Sequence, residues 1–339
     1  YENLFGTSTV YRQVGTGYIR NTKIEGSTTW TNGNTNLSNV RSYVSTINTT
    51  GSSGTISNSD FQRAYGVNMQ NVGSLTITDC QISGYSQISI NNATRLYYYR
   101  SSLTNYGRIL ISAGSRIDAS YTRVSSYSYL QSTQSGGFLR VNYSDVSSLS
   151  YIRNTTTNTN YAERCQVSSQ SNIRFDGNAS NCRVYYSSSK SGGAIYHTGN
   201  SLSSYIYYCK ADSRGYLFTS NSTNTRMYYC SVDSNGRVSS QNNSTTHYIY
   251  YCSASSSGQV LCVNNTGQIR MYSIRAVSQS IARIHNTAVS GRLYYSSFEA
   301  YYYVYITFTA NMTRTGLHGY GRRTYNVTNP PNGTFTQNF

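Results

Sequence analysis

The chain is poor in proline, in lysine and in acid. Its 339 residues include two prolines, adjacent at Pro330 and Pro331, so almost every position keeps the backbone N–H that a strand ladder needs. Charged residues make up 11%, well under the usual quarter. Eleven residues are acidic, and the basic ones are nearly all Arg, with lysine confined to Lys23, Lys190 and Lys210; the net charge is +16. No apolar run approaches the roughly 18 residues that a membrane-spanning helix requires, so no membrane span is expected. No apolar stripe of period 3.6 with caps appears, so helices are not expected either. Phosphate-binding Gly-rich loops, Ser–His–Asp sets and zinc signatures are missing as well, and no cofactor or metal is expected.

Ser, Thr, Asn, Gly and 37 tyrosines fill the space left by these absences. Such polarity can signal disorder, but disordered chains lack the aromatic and β-branched residues that abound here. Three stretches read almost alike: YYCKADSRG at 207–215, YYCSVDSNG at 228–236 and YYCSASSSG at 250–258. With Ile206 as position zero, the same slot holds Ile77, Tyr98, Ala119, Val141, Ala162, Val184, Met227, Ile249, Met271 and Leu293, in steps of 21 or 22 residues. Constant spacing over so many turns is the mark of a solenoid.

Apolar or small residues recur at positions 0, 3, 5, 11 and 13 of each coil. Position 3 holds Cys80, Cys165, Cys209, Cys230 and Cys252 among serines, and position 11 holds Ile88, Ile109, Leu130, Ile152 and Ile173. Positions 3 and 5, and 11 and 13, alternate with period two, as strands do. Gly recurs near position 9 (Gly107, Gly193, Gly215, Gly236, Gly258) and Asn near position 15, both read as turn residues that tolerate positive φ. Three short strands per coil predict an all-β, single-stranded parallel β-helix of 21–22 residues per coil and about 12–13 coils. Residues 56–310 form its regular body. Residues 1–55 supply N-terminal coils and an irregular cap, with Ile19 at position 0, Trp30 at position 11 and 33–55 as a loop or irregular coil. Residues 311–339 read as a C-terminal cap or tail over the open strand edge.

The pattern, and LTITDCQIS at 75–83 in particular, resembles the right-handed parallel β-helix (pectin-lyase-like) superfamily of pectate lyases, phage tail spikes and surface adhesins. The resemblance covers roughly residues 50–310. It implies the fold; it does not choose among the functions that the fold carries.

Positions beside the inward ones face out. Position 1 holds Tyr185, Tyr207, Tyr228, Tyr250, Tyr272 and Tyr294 without a break, and the bend at position 2 adds Tyr186, Tyr208, Tyr229, Tyr251 and Tyr295. The slot before zero alternates Arg183, Tyr205, Arg226, Tyr248, Arg270, Arg292. A wall of Tyr and Arg is expected, held by ring stacking and cation–π contacts, and available as a contact face. The cysteines fall in an inward slot as small filler, so no disulfide is expected.

Enzymes of the superfamily group carboxylates on one outer face. The one stacked pair here is Asp212 with Asp233, about 5 Å apart at the coil rise and close to the separation used by retaining glycosidases. Arg214, Lys190 and Lys210 lie beside it and offer plain charge balance instead. Sequons at Asn92, Asn142, Asn154, Asn178, Asn221, Asn243 and Asn264 are candidate glycosylation acceptors if the chain is secreted by a glycosylating organism.

Together these features predict a non-enzymatic protein of an extracellular, cell or virion surface: a fibre, spike or filament subunit. Its Tyr/Arg wall would serve self-association or contact with a surface polysaccharide or anionic glycan. The alternative is a tail-spike type of polysaccharide depolymerase acting through Asp212, Asp233 and Arg214. Nucleic-acid binding competes on charge alone, because the Arg residues are spread over many coils rather than gathered in one groove.

Overall fold

The computed structural model is all-β. Its strands form three parallel sheets stacked as a β-solenoid of about nine turns, with no helix among the described residues. Side chains are described for residues 36–41, most of 53–259, 268 and 270–275; elsewhere strands alone are assigned, and the remaining segments are not described. The chain divides into two compact units, 1–161 with 170–173, and 162–169 with 174–339.

In the first unit, the coil that starts at Ser74 shows how the sequence makes the fold. Strand Ser74–Thr78 lies in the first sheet, Gln81–Ser83 in the second and Gln87–Asn91 in the third. Each pairs in parallel with the strand one coil on: Ile77 with Tyr98, Ile82 with Leu103, Ile88 with Ile109. Leu75, Ile77, Ile82, Ile88 and Ile90 are almost wholly buried, as the period-two alternation requires. Each such side chain stabilises by about 1.5–3 kcal/mol through burial, before ordering entropy is charged against it.

Leu75 marks an inward column absent from the sequence reading. Leu96, Ile117 and Leu139 continue it, all buried. In the second unit the same place holds Cys182, Ser204, Thr225 and His247, also buried, so the column loses its apolar signature along the chain.

The first 55 residues depart from expectation. Strands Thr35–Ser38, Arg41–Tyr43 and Thr46–Thr50 fill the segment expected to be irregular, and Leu37 and Val40 are core residues. Ile19 pairs with Leu37 and Leu37 with Ile56, steps of 18 and 19 residues rather than 21 or 22. The shorter coils shift the register: Trp30 aligns with Thr49 and so with Met69, which puts it at position 13 instead of 11. Downstream, pairing continues through Met312–Thr315 and Leu317–Tyr320, inside the segment expected to be a tail.

Two of a coil's three corners repeat a common geometry among the described residues. Between the first and second sheets a single residue adopts left-handed φ: Asn58, Asp79, Arg100 and Tyr121 in the first unit, Tyr186, Tyr208, Tyr229 and Tyr251 in the second. The next residue, at position 3, turns its side chain inward and repairs the bend. Ser101 Oγ accepts from the Cys80 amide at 3.0 Å and donates to the Tyr99 carbonyl at 2.8 Å. Ser59 and Ser187 repeat the arrangement, and Cys209, Cys230 and Cys252 direct their thiols at the carbonyls of Tyr207, Tyr228 and Tyr250. The position-3 cysteines are therefore weak donors as well as filler. Ser101→Ala should cost about 1–3 kcal/mol by orphaning the buried Cys80 amide, while the Tyr99 carbonyl keeps the Asp79 amide at 3.2 Å. Ser101→Cys should recover part of that loss, because thiols fill this slot elsewhere; urea unfolding of the two variants measures the difference.

Between the second and third sheets, two consecutive residues have positive φ, as in a type I′ turn: Ser213 and Arg214, Ser234 and Asn235, Ser256 and Ser257. Gly215 N donates to Asp212 O at 2.7 Å and closes the first of them. The recurrent glycine is thus not the residue with positive φ, contrary to the sequence reading. It is needed for space. A Cβ on Gly215 would lie 2.1 Å from Ser189 O, and one on Gly107 would lie 2.1 Å from Ile82 O.

Candidate functional site

In the second unit, the outward face of the first sheet and the bend beside it carry the expected Tyr and Arg columns. The bend column is a stack. Tyr186, Tyr208, Tyr229 and Tyr251 follow one another at ring-centroid distances of 5.0, 4.8 and 4.9 Å, with planes within 6° of parallel. Each ring is about half exposed, from 46% to 54%. Because the rings cover one another's faces, solvent meets their edges and hydroxyls.

Position 1 lies beside this stack and is less exposed. Tyr185, Tyr207 and Tyr228 stack at 5.3 and 4.9 Å; Tyr250 and Tyr272 continue the column with tilted rings. Burial raises the Tyr228 phenol to about 12, helped by the neighbouring phenols of Tyr207 and Tyr250. Tyr207 and Tyr250 are raised too, by burial first. A phenol whose pKa rises on folding stabilises fully below the unfolded value, near 10, and the contribution is lost as pH climbs through the folded value. Spectrophotometric titration should therefore show a tyrosine class ionising near pH 12, and stability should decline between about pH 10 and 12.

The slot before zero alternates as expected. Arg226 lies 5.5 Å from the ring centroids of both Tyr205 and Tyr248; Arg183 and Arg270 extend the series at 5.6 Å. Each contact adds about 0.5–1 kcal/mol at an exposed site. Arg292 and Tyr294 continue the register by backbone pairing, and their side chains lie outside the described residues.

Other tyrosine stacks lie in the first unit, where the sequence reading did not look. Tyr85, Tyr106 and Tyr127 stack at 4.6 and 5.2 Å on the two-residue turns, and Tyr121 stacks on Tyr143 at 4.8 Å. Their signal was available: Tyr at three successive 21-residue steps, 85, 106 and 127.

The carboxylates are engaged locally. Asp212 pairs with Lys210 at 3.3 Å and accepts from Ser213 Oγ. Burial works to raise the Asp233 carboxyl. Hydrogen bonds from Ser256, the Ser234 amide, Ser255 and the Ser234 hydroxyl outweigh it and hold the group below the usual carboxylate range. A carboxyl held ionised is poorly suited to act as a general acid. Arg214 occupies the turn itself, and among the described residues no ion pair joins it to either aspartate.

Six cysteines are described, all buried and none in a disulfide. Burial lifts the Cys80 thiol to about 12, and Cys209 is pushed well up by burial and by Cys230, so these thiols are poor nucleophiles. Among the described residues no cluster of His, Cys, Asp and Glu could hold a metal ion, and no helix is long and apolar enough to cross a membrane.

The sequons divide. Asn154 is fully buried and donates to Asn160 Oδ1 at 2.5 Å, and Asn142 is 9% exposed. Neither is an accessible acceptor, a correction that follows from their inward placement at the ends of strands Tyr151–Asn154 and Phe138–Asn142. Asn221 is exposed at a turn with φ 56°. Asn92, Asn178, Asn243 and Asn264 lie outside the described residues.

Fold and surface together define a parallel β-solenoid protein with aromatic ladders. Comparison with protein-family models, with curated proteins and with solved structures gave no match.

Proposed function

We propose that the protein is a non-catalytic structural or adhesive component displayed outside a cell or on a virion. In this reading its tyrosine ladders and Arg/Tyr face make contact with further copies of the chain or with surface glycans. The observation that carries the reading is the half-exposed stack of Tyr186, Tyr208, Tyr229 and Tyr251. Four aromatic residues occupy a bend that Asn or Gly would fill with less strain, since left-handed φ disfavours bulky side chains. Stacking offsets that cost, and the ordered row of ring edges gives it a use at an interface. Membership of the pectin-lyase-like superfamily belongs to the same proposal, supported by the three-sheet parallel coil.

Electron microscopy of the full chain tests it. Fibres, spikes or other multi-copy particles are expected, or retention on a glycan array. A monodisperse monomer that binds neither itself nor any surface glycan would sink the proposal. The depolymerase alternative rests on Asp212 and Asp233, and the Lys210 pairing and depressed Asp233 carboxyl weigh against it. If the chain cleaves a capsular polysaccharide, and Asp212→Asn with Asp233→Asn abolishes the cleavage, the alternative replaces the first reading.

A further inference from the structure

The outward face of the first sheet in the second unit is basic over the five strands that follow Glu163. Five strands build it: Asn181–Tyr185, Ser203–Tyr207, Asn224–Tyr228, Thr246–Tyr250 and Gln268–Tyr272. None contains a carboxylate. Three columns run across them. One is tyrosine, one alternates Arg with Tyr, and one carries the amides and hydroxyls from Asn181 to Gln268.

The first unit supplies an internal contrast. On its first sheet Asp118 takes both Arg95, at 3.3 Å, and Arg116, at 2.7 Å, so the two guanidiniums share one carboxylate there. In the second unit Arg226 and Arg270 have no carboxylate partner among the described residues. Arg226 lies between the rings of Tyr205 and Tyr248 and hydrogen-bonds the Tyr207 phenol, and Tyr248 lies against Arg270. A guanidinium has five N–H donors, so one set among rings and bonded to a single phenol keeps donors for a carboxylate or sulfate.

The spacing is specific. Arg183, Arg226 and Arg270 recur every second coil, and two coils advance about 9.6 Å at the interstrand spacing. From Arg183 to Arg270 the column therefore presents single positive charges roughly 10 Å apart with neutral hydrogen-bonding groups between them, and Arg292 follows Arg270 one coil on. We propose that this face binds an anionic polysaccharide bearing one acidic group per disaccharide, laid along the stacking direction of the coils. The acid groups meet Arg226 and Arg270, and the Asn, Ser, Thr and Gln column meets sugar hydroxyls. The inference rests on the adhesive reading above and specifies its ligand. A single-stranded nucleic acid fits less well, because bases bind by stacking on open ring faces and the ladder rings already cover one another.

The test is binding of the full chain to hyaluronan oligosaccharides, with neutral dextran and oligothymidylate as comparison probes, by calorimetry at two salt concentrations. The expected result is salt-sensitive hyaluronan binding with no dextran binding. Arg226→Gln with Arg270→Gln should weaken it at least about tenfold, the scale of one charged hydrogen bond. Arg123→Gln, on an exposed side chain of the first unit, should leave it unchanged. Should the Gln pair fail to fold by circular dichroism, Arg226→Lys with Arg270→Lys keeps the charge and removes the planar fork, and is expected to weaken binding about threefold or more. Absence of hyaluronan binding, equal loss on Arg123→Gln, undiminished binding in both double variants, or tighter binding of oligothymidylate would each overturn the proposal. Multi-copy particles that persist while hyaluronan binding is absent would overturn this inference and leave the structural reading standing.

Discussion

Replacing Phe61 by alanine is expected to destabilise the first unit by about 3–5 kcal/mol. The side chain is fully buried. Its backbone pairs with Ser42 on one side and Ile82 on the other, so its column offers one small and one branched neighbour. In a helical core, neighbours can shift into a cavity. Here the ladder hydrogen bonds fix the coil spacing, so collapse along the stack is limited and the cavity term stays large. Because each coil contacts chiefly its neighbours, the loss should be local. Hydrogen exchange should accelerate in the strands around Asp60–Gln62 first, with smaller changes in distant coils. Uniform acceleration over the unit would indicate all-or-none unfolding instead.

Replacing Gly215 by alanine is expected to cost about 1–3 kcal/mol in the second unit, from overpacking against backbone. The added Cβ would meet Ser189 O at 2.1 Å and Ser189 C at 2.4 Å, and neither is the movable end of a side chain. Relief requires the turn Asp212–Gly215 to open, weakening the Gly215 N to Asp212 O bond. In the first unit the same slot holds Ser86, Ser128 and Ser150, all fully buried. Ser128 N donates to Ser150 Oγ at 3.1 Å, so those coils use the side chain where the others use its absence. Thermal melting of Gly215→Ala measures the cost. A change within error would mean that the serine-type turn is open to every coil.

These two positions also mark what the sequence could and could not reveal. The column holding Phe61, Ile82 and Leu103 was legible because period-two alternation and a fixed coil length agree there. The strands at 35–50 were hidden because coils of 18 to 20 residues break the 21–22 register, although Leu37 and Val40 are core residues. The column from Leu75 to His247 was missed because it changes from apolar to polar along the chain. The glycines were noticed with the wrong cause: the close approach of Ser189 O to Gly215 is a contact between coils, invisible in local sequence. The Tyr/Arg columns were legible residue by residue. What sequence did not reveal was the division between a half-buried tyrosine column at position 1 and an exposed one at the bend. That division depends on left-handed φ at Tyr186, Tyr208, Tyr229 and Tyr251, a conformation tyrosine does not advertise.

The contact role of that exposed stack is the centre of the account. It is tested by changing Tyr186, Tyr208, Tyr229 and Tyr251 together to asparagine, which tolerates left-handed φ and holds the equivalent bend at Asn58. Sedimentation velocity of wild type and variant is the measurement, with far-ultraviolet circular dichroism as the check on folding. The account predicts that the variant keeps the β spectrum and sediments as a monomer where wild type forms larger species. Identical assembly of the two proteins would show that the tyrosines serve the solenoid alone.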